Sequence, residues 1–245
     1  MESISSKWLE PQDERYQFVK DLVVNSCANV QIYWIEEIIN DFLTARYLDC
    51  KDQFILSCGD NLQELVLFHG TRESNVCKII QDGFKASLNV TSLHGKGTYF
   101  AKDASLSINY VNYPPEQEVA FLFLCNVLVG RTNTRDKQEK EPHTMESFDV
   151  LVDNTTNPSQ YVIPHDAAIY PRYAIAMSNP RNPKHYNGKP FAPTLPRRFQ
   201  AVSEVQGPPK NSLSYWTSHK TSTEPVPIKP LKPLKRAAFH PHNSS

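Results

Sequence analysis

The run EVAFLFLCNVLVG, residues 118–130, leaves this chain few options. It is too short and too rich in Val and Phe for a bilayer helix. It contains no Pro, and its one Gly closes it, so it reads as a central strand of a sheet. Other segments supply neighbours. ELVLFH (64–69) is a short buried strand with Gly70 directly after it. GKGTYFA (95–101) is a Gly-bounded strand, and residues 160–163 and 168–176 are two more, with Pro164 and Pro171 confining them to edges, ends or bulges. Glu73–Gln81 reads as a helix with Val76, Ile79 and Ile80 on its apolar face and Asp82-Gly83 as its stop. Asp103 is placed to cap a short helix over Ala104–Val111. Near the N-terminus, Ile32, Ile35, Ile39 and Phe42 recur at helical spacing. They predict a helix over residues 29–47, with Asn29 as cap and Ile38 widening the stripe. Residues 14–25 read as a strand and residues 50–62 as irregular, while residues 85–94 and 131–147 read as polar loops. This mostly-strand order, with helices early and no regular alternation, predicts an α+β fold. No internal repeat is visible.

The charge is divided along the chain. Residues 179–245 hold 11 Lys/Arg against 2 Asp/Glu, and residues 1–178 hold 15 against 24, so a net charge of zero hides +9 and −9. Twelve of the 19 prolines also fall after residue 178. The expected organisation is an acidic globular domain over 1–178 and a basic, Pro-rich, disordered tail over 179–245. The tail contains P-x-x-P frames at Pro227–Pro230 and Pro230–Pro233 with Lys between, and aromatics such as Tyr215 and Trp216 among its positive charges. A solvated linker, an SH3-type ligand and a nucleic-acid tether are the open readings of it. No stretch of 18 apolar residues occurs, and the first 25 residues are charged throughout, so neither a membrane span nor a secretory leader is expected. Cys27, Cys50, Cys58, Cys77 and Cys125 are odd in number and irregular in spacing. They predict free thiols in a reducing compartment, cytoplasm or nucleus, and no metal site.

Common nucleotide and hydrolase signatures fail. Gly95–Phe100 lacks the third glycine of a dinucleotide fingerprint, and a β-type segment rather than a helix follows its glycines. Gly188-Lys189 is followed by Pro190, so no phosphate-binding Walker loop exists there. Neither G-x-S-x-G nor H-E-x-x-H occurs.

Three segments in order do carry a signal: LFHGT (67–71), HGKGTYFAKDASLSINY (94–110) and NPSQYVIPHDAAIYPRYAI (157–175), with FLFLCNVLVGR (121–131) between the last two. Together they resemble the catalytic domain of the poly(ADP-ribose) polymerase (PARP) family, most nearly its mono-ADP-ribosylating branch. The resemblance covers residues 14–176. It implies the split, two-sheet ADP-ribosyltransferase fold, with NAD+ as co-substrate in a cleft between the sheets and no metal. It further implies that His69 binds the adenosine ribose. Gly70 would hold the nicotinamide amide through its backbone, Tyr99 and Tyr110 would stack on the two faces of the nicotinamide ring, and Ser107 would bind the carboxamide. A glycine at position 70 suits a backbone that must come close to a ligand, and Ser107 and Tyr110 share a face if their segment is helical. His69 and Tyr99 would be catalytic together with Gln160, which stands where polymer-forming members have Glu. A Gln amide hydrogen-bonds a hydroxyl but takes no proton from it and carries no charge. The implied activity is therefore transfer of one ADP-ribose to a protein acceptor with release of nicotinamide. A short donor loop between Gly83 and Gly95 implies a more open cleft. A catalytically weak pseudoenzyme serving as a scaffold is the alternative that Gln160 and this loop keep open.

Overall fold

A computed structural model of the chain describes residues 4–88, 95–111, 113, 117–134 and 150–181. The apolar run forms strand β5 (Val119–Val129), buried at every position except its first. Its neighbours are β3 (Gln63–Thr71), paired from Gln63↔Val129 to Thr71↔Phe121, and β9 (Ile169–Ser178), both antiparallel to it. Beyond β9 lie β2 (Ile32–Asn40) and the edge strand β1 (Ile4–Trp8). Beyond β3 lie β4 (Thr98–Ala101), β8 (Gln160–Ile163), β7 (Val150–Val152) and β6 (Thr132–Asn133). The order among the described residues is β1-β2-β9-β5-β3-β4-β8-β7-β6, one sheet of nine strands, with β6–β7 parallel. Helices cover both faces. On one side α2 (Asp41–Cys58) and α3 (Glu73–Asp82) pack against Trp34, Ile38, Phe121, Phe123 and Val127. On the other, α1 (Glu14–Ser26) and α4 (Ala104–Asn109) pack against Ile35, Phe68, Leu122 and Leu124. The alternation of β5 side chains between these layers is why its sequence is apolar at every position except Asn126.

Two N-terminal expectations are corrected. Residues 14–25 form a helix, α1, not a strand. Asp13 accepts a hydrogen bond from the Arg15 N–H and starts it, and Val19 and Val23, four apart, are its buried stripe. Residues 29–47 are not one helix but strand β2 running directly into α2. The register of β2 against β9 shifts between Ile32 and Trp34, a bulge. That extra residue puts Ile32 and Ile35 against the same core layer although they are three apart, a spacing that a regular strand does not give. A bulge thus imitated helical periodicity. Ile39 and Phe42, counted in the same stripe, are 41% and 43% exposed. Residues 50–58, expected to be irregular, continue α2, whose buried stripe is Leu43, Tyr47, Cys50, Phe54 and Cys58.

Strands β3, β4, β5, β8 and β9 and helices α3 and α4 agree with the sequence reading, whereas β1, β6 and β7 were not expected and β6 lies within residues 131–147, read as a loop. Gly83 ends α3 with φ +75° and its N–H on the Ile79 carbonyl. Asp103 stands at the N-cap position of α4 without a side-chain cap bond. Pro171 lies in β9 where the register against β5 shifts between Leu124 and Cys125, a bulge that tolerates the missing N–H. All five cysteines are unpaired, and four are buried. No helix among the described residues is long and apolar enough to cross a membrane. The expected loops over 89–94 and 135–147 and the expected tail from residue 182 onward lie outside the described residues.

Asn40 fastens α2 and α3 to each other. Fully buried, it accepts the Leu43 N–H at 3.1 Å as cap of α2. Its amide donates to the Ile80 and Gln81 carbonyls at the end of α3, at 2.9 and 3.1 Å. Asn40→Ala is expected to lower the unfolding free energy by about 2–3 kcal/mol, read by urea or thermal unfolding. Asn40→Asp keeps the cap but sets a carboxylate against the α3 carbonyls, and is expected to be destabilised as well. Wild-type stability in both variants would remove this role.

Candidate active site

The β3–β4 junction is where the site forms. The register between these strands consists of Phe68↔Ala101. From there towards Thr71 on β3 and Thr98 on β4 the two strands carry no further register pair, whereas each stays paired to its other neighbour. The result is a wedge in the sheet. His69 bridges it: its Nδ1 lies 2.8 Å from the Tyr99 carbonyl oxygen. A carbonyl only accepts, so Nδ1 carries the proton. Burial pushes the imidazole pKa down to about 4, and the bond to the Tyr99 carbonyl recovers only part of that. The ring is therefore neutral near pH 7, Nδ1–H donates, and Nε2 is left as an acceptor. Phe84 and Phe100 hold the ring, edge-on at 4.9 Å and tilted at 5.5 Å between centroids.

A cleft of about 310 Å³ opens beside it on the α3 face, lined by His69, Thr71, Lys78, Phe84, Lys85 and Thr98 among others. Lys85 is paired with Asp82 at 3.0 Å.

The other predicted residues gather on the opposite face of the sheet. Directly opposed residues of an antiparallel pair share a face. Tyr99↔Val162 and Ala101↔Gln160 therefore put the Tyr99 and Gln160 side chains on the same side. Phe100 and Tyr161, the pair between them, point into the α2–α3 core layer instead. The Tyr110 hydroxyl donates to Gln160 Oε1 at 2.7 Å, which brings Tyr110 to the Tyr99 side. The Tyr99 hydroxyl donates to the Gly95 carbonyl at 2.8 Å. Ser107, 4% exposed, donates its hydroxyl to the Phe68 carbonyl at 2.9 Å, so its oxygen retains acceptor capacity only.

Gly70 is crowded from within the chain. A Cβ built on it would lie 2.3 Å from the Ser107 carbonyl oxygen and 2.7 Å from Val111 Cγ2. The close approach is of α4 and the residues after it to β3, and it is what lets Ser107 reach the Phe68 carbonyl.

Asp153, which the sequence reading did not single out, anchors the start of β8. Its Oδ1 accepts the N–H groups of Ser159 (2.9 Å) and Gln160 (3.0 Å), and the Ser159 hydroxyl donates to Oδ2. Burial alone would raise its pKa, but these hydrogen bonds together outweigh it and hold the carboxyl below its ordinary value. The D-x-x-x-x-x-S spacing is unremarkable in a sequence, because only the turn between the two strands folds it into a clamp. Among the described residues no group of three His, Cys, Asp or Glu is arranged to hold a metal ion.

Known proteins resemble this chain over most of its described residues. Residues 14–179 match the poly(ADP-ribose) polymerase catalytic domain. The chain is 32% identical over 160 residues to the protein mono-ADP-ribosyltransferase PARP10 of Mus musculus, covering 62% of this chain and 17% of that protein. It is 30% identical over 179 residues to PARP14 of Homo sapiens, described likewise as a protein mono-ADP-ribosyltransferase, covering 69% of this chain and 10% of that protein. With mouse PARP12, of the same description, it shares 30% identity over 184 residues, 71% of this chain and 26% of the relative. The chain thus matches 10–26% of the length of these relatives.

Neutral His69 gives a pH signature. Unfolded, a histidine takes up its proton below about pH 6.5, whereas folded His69 resists it until about pH 4. The unfolded state therefore binds more protons in that window, and stability falls as pH drops through it. The unfolding free energy of wild type minus that of His69→Gln is expected to be constant above pH 7 and to shrink steadily from pH 6.5 to 4. A pH-independent difference would show that His69 titrates normally. With a catalytic-domain match spanning two thirds of its sequence, the chain belongs to the PARP catalytic-domain family.

Proposed function

We propose that the chain is an NAD+-dependent mono-ADP-ribosyltransferase that modifies protein side chains and releases nicotinamide. The observation that carries this reading is the pairing of a neutral, acceptor-only His69 Nε2 on one face of the wedge with Tyr99, Tyr110 and Gln160 on the other. A dinucleotide lying across the end of the β3–β4 junction would meet both. On the α3 side, Nε2 accepts a hydroxyl of the adenosine ribose, and the cleft takes the adenosine. On the α4 side, the nicotinamide carboxamide donates to Ser107 Oγ and to the Gly70 carbonyl, and the ring lies between the two phenols. Stacking contributes about 1–3 kcal/mol per face by analogy with nucleobases.

The chemistry suits such a site. Nicotinamide leaves as a neutral molecule, so no strong general acid is needed, and the ribose develops oxocarbenium character. Rigid placement of the leaving group and an acceptor already nucleophilic then supply most of the rate. Gln160 offers no base to activate a ribose hydroxyl, which favours one transfer over chain growth. The unpaired thiols fit a reducing compartment, cytoplasm or nucleus.

The same Gln160 motivates a second reading, a scaffold that binds NAD+ poorly and transfers nothing. Incubation of the purified chain with labelled NAD+ and a cell lysate separates them. The expected result is label on protein that stays at one ADP-ribose per site, reduced about 100-fold in Tyr99→Ala. No label from a folded chain, together with no NAD+ binding at millimolar ligand, would leave the scaffold reading.

A further inference from the structure

The hydrogen bond between Tyr110 and Gln160 joins an exposed side chain to a residue whose backbone is anchored. Tyr110 closes the six-residue helix α4 and is 51% exposed. An exposed ring at a helix end has rotamer freedom to lose, so a fixed orientation needs a tether. Gln160 is anchored through its backbone. Besides the N–H held by Asp153 Oδ1, its carbonyl faces the Asp153 N–H at 3.4 Å, and the Ser159 carbonyl accepts the Lys102 N–H at 3.0 Å. Asp153, at the turn after β7, and Lys102, after β4, thus hold the 159–160 backbone from the two strands that flank β8. The anchored member is Gln160, and the member it restrains is the tyrosine.

We infer that Gln160 is a positioning residue for the donor substrate: its side-chain oxygen holds the Tyr110 ring in the orientation that covers one face of the nicotinamide, and Asp153 holds Gln160. This rests on the reading of Tyr99 and Tyr110 as the nicotinamide clamp. It gives residue 160 a task in binding the leaving group, separate from any part in activating the acceptor. With its oxygen engaged by a phenol, the amide presents its NH2 donors to whatever enters from the acceptor side. Glu at this position would accept the same phenol hydrogen bond. An apolar residue would release the ring.

Benzamide, a flat aromatic amide without ribose, probes the clamp alone. Its affinity for the full chain is measured by calorimetric titration for wild type, Tyr110→Phe, Gln160→Leu, the double variant and Gln160→Glu, each checked for an unchanged melting temperature. Loss of one hydrogen bond worth about 1 kcal/mol weakens binding about fivefold. Both single variants are expected to show that loss, the double variant no more than that, and Gln160→Glu to bind within about twofold of wild type. In steady state with NAD+, Gln160→Leu and Tyr110→Phe are expected to raise KM alike. Wild-type affinity in Tyr110→Phe, or losses that multiply to about 25-fold in the double variant, would overturn the inference while leaving the clamp intact. Failure of the wild type itself to bind benzamide would overturn the clamp, and this inference with it.

Discussion

The site depends on two strands that part after a single paired position. Beyond Phe68↔Ala101, β3 and β4 have their other edges secured by β5 and β8, so the gap between them cannot close by a shift of either. In a sheet interior an unpaired carbonyl carries a desolvation cost of about 1–3 kcal/mol. The His69 imidazole removes that cost at Tyr99, and in doing so its proton is assigned to Nδ1. One hydrogen bond therefore satisfies the opened sheet and fixes which imidazole nitrogen faces a ligand. Burial keeps the ring neutral, so the acceptor persists across the physiological pH range.

Around this wedge the fold is arranged to hold two faces in register. On one face Asn40 ties the start of α2 to the end of α3, and α3 forms a wall of the cleft beside His69. On the other, Gly70 lets Ser107 come down onto β3, and the Asp153 clamp sets the start of β8. Each device is a buried or partly buried polar group with its partners supplied by a different element. The candidate site is thus held by polar groups supplied from different elements.

What the sequence disclosed follows the same division. Strands β3, β4, β5, β8 and β9 and helices α3 and α4 were legible because apolar runs and Gly or Asp punctuation bound them locally. The His-Gly-Thr and Gly-Lys-Gly-Thr-Tyr-Phe strings located His69 and Tyr99 by resemblance. The N-terminal third was misread where tertiary context overrode local pattern. In β2 a bulge placed Ile32 and Ile35 on one face, and the apolar run over residues 14–25, read as a strand, forms α1 behind the Asp13 cap. Gly70 was identified by resemblance, but its crowding against Ser107 and Val111 had no local signal, because α4 lies far away in the chain. The Tyr110–Gln160 bond, 50 residues long in sequence, and the Asp153 clamp had no local signature at all.

The central claim is that His69 is a neutral Nδ1–H imidazole whose Nε2 receives the dinucleotide. Nitrogen NMR of the histidine side chains, with His69→Gln to assign the resonance, tests it in one titration. The account predicts an Nδ1–H tautomer that protonates only near pH 4 and an Nε2 resonance that moves when NAD+ is added at pH 7. A ring that titrates near pH 6.5, or an Nε2 resonance unmoved by saturating NAD+, would contradict it.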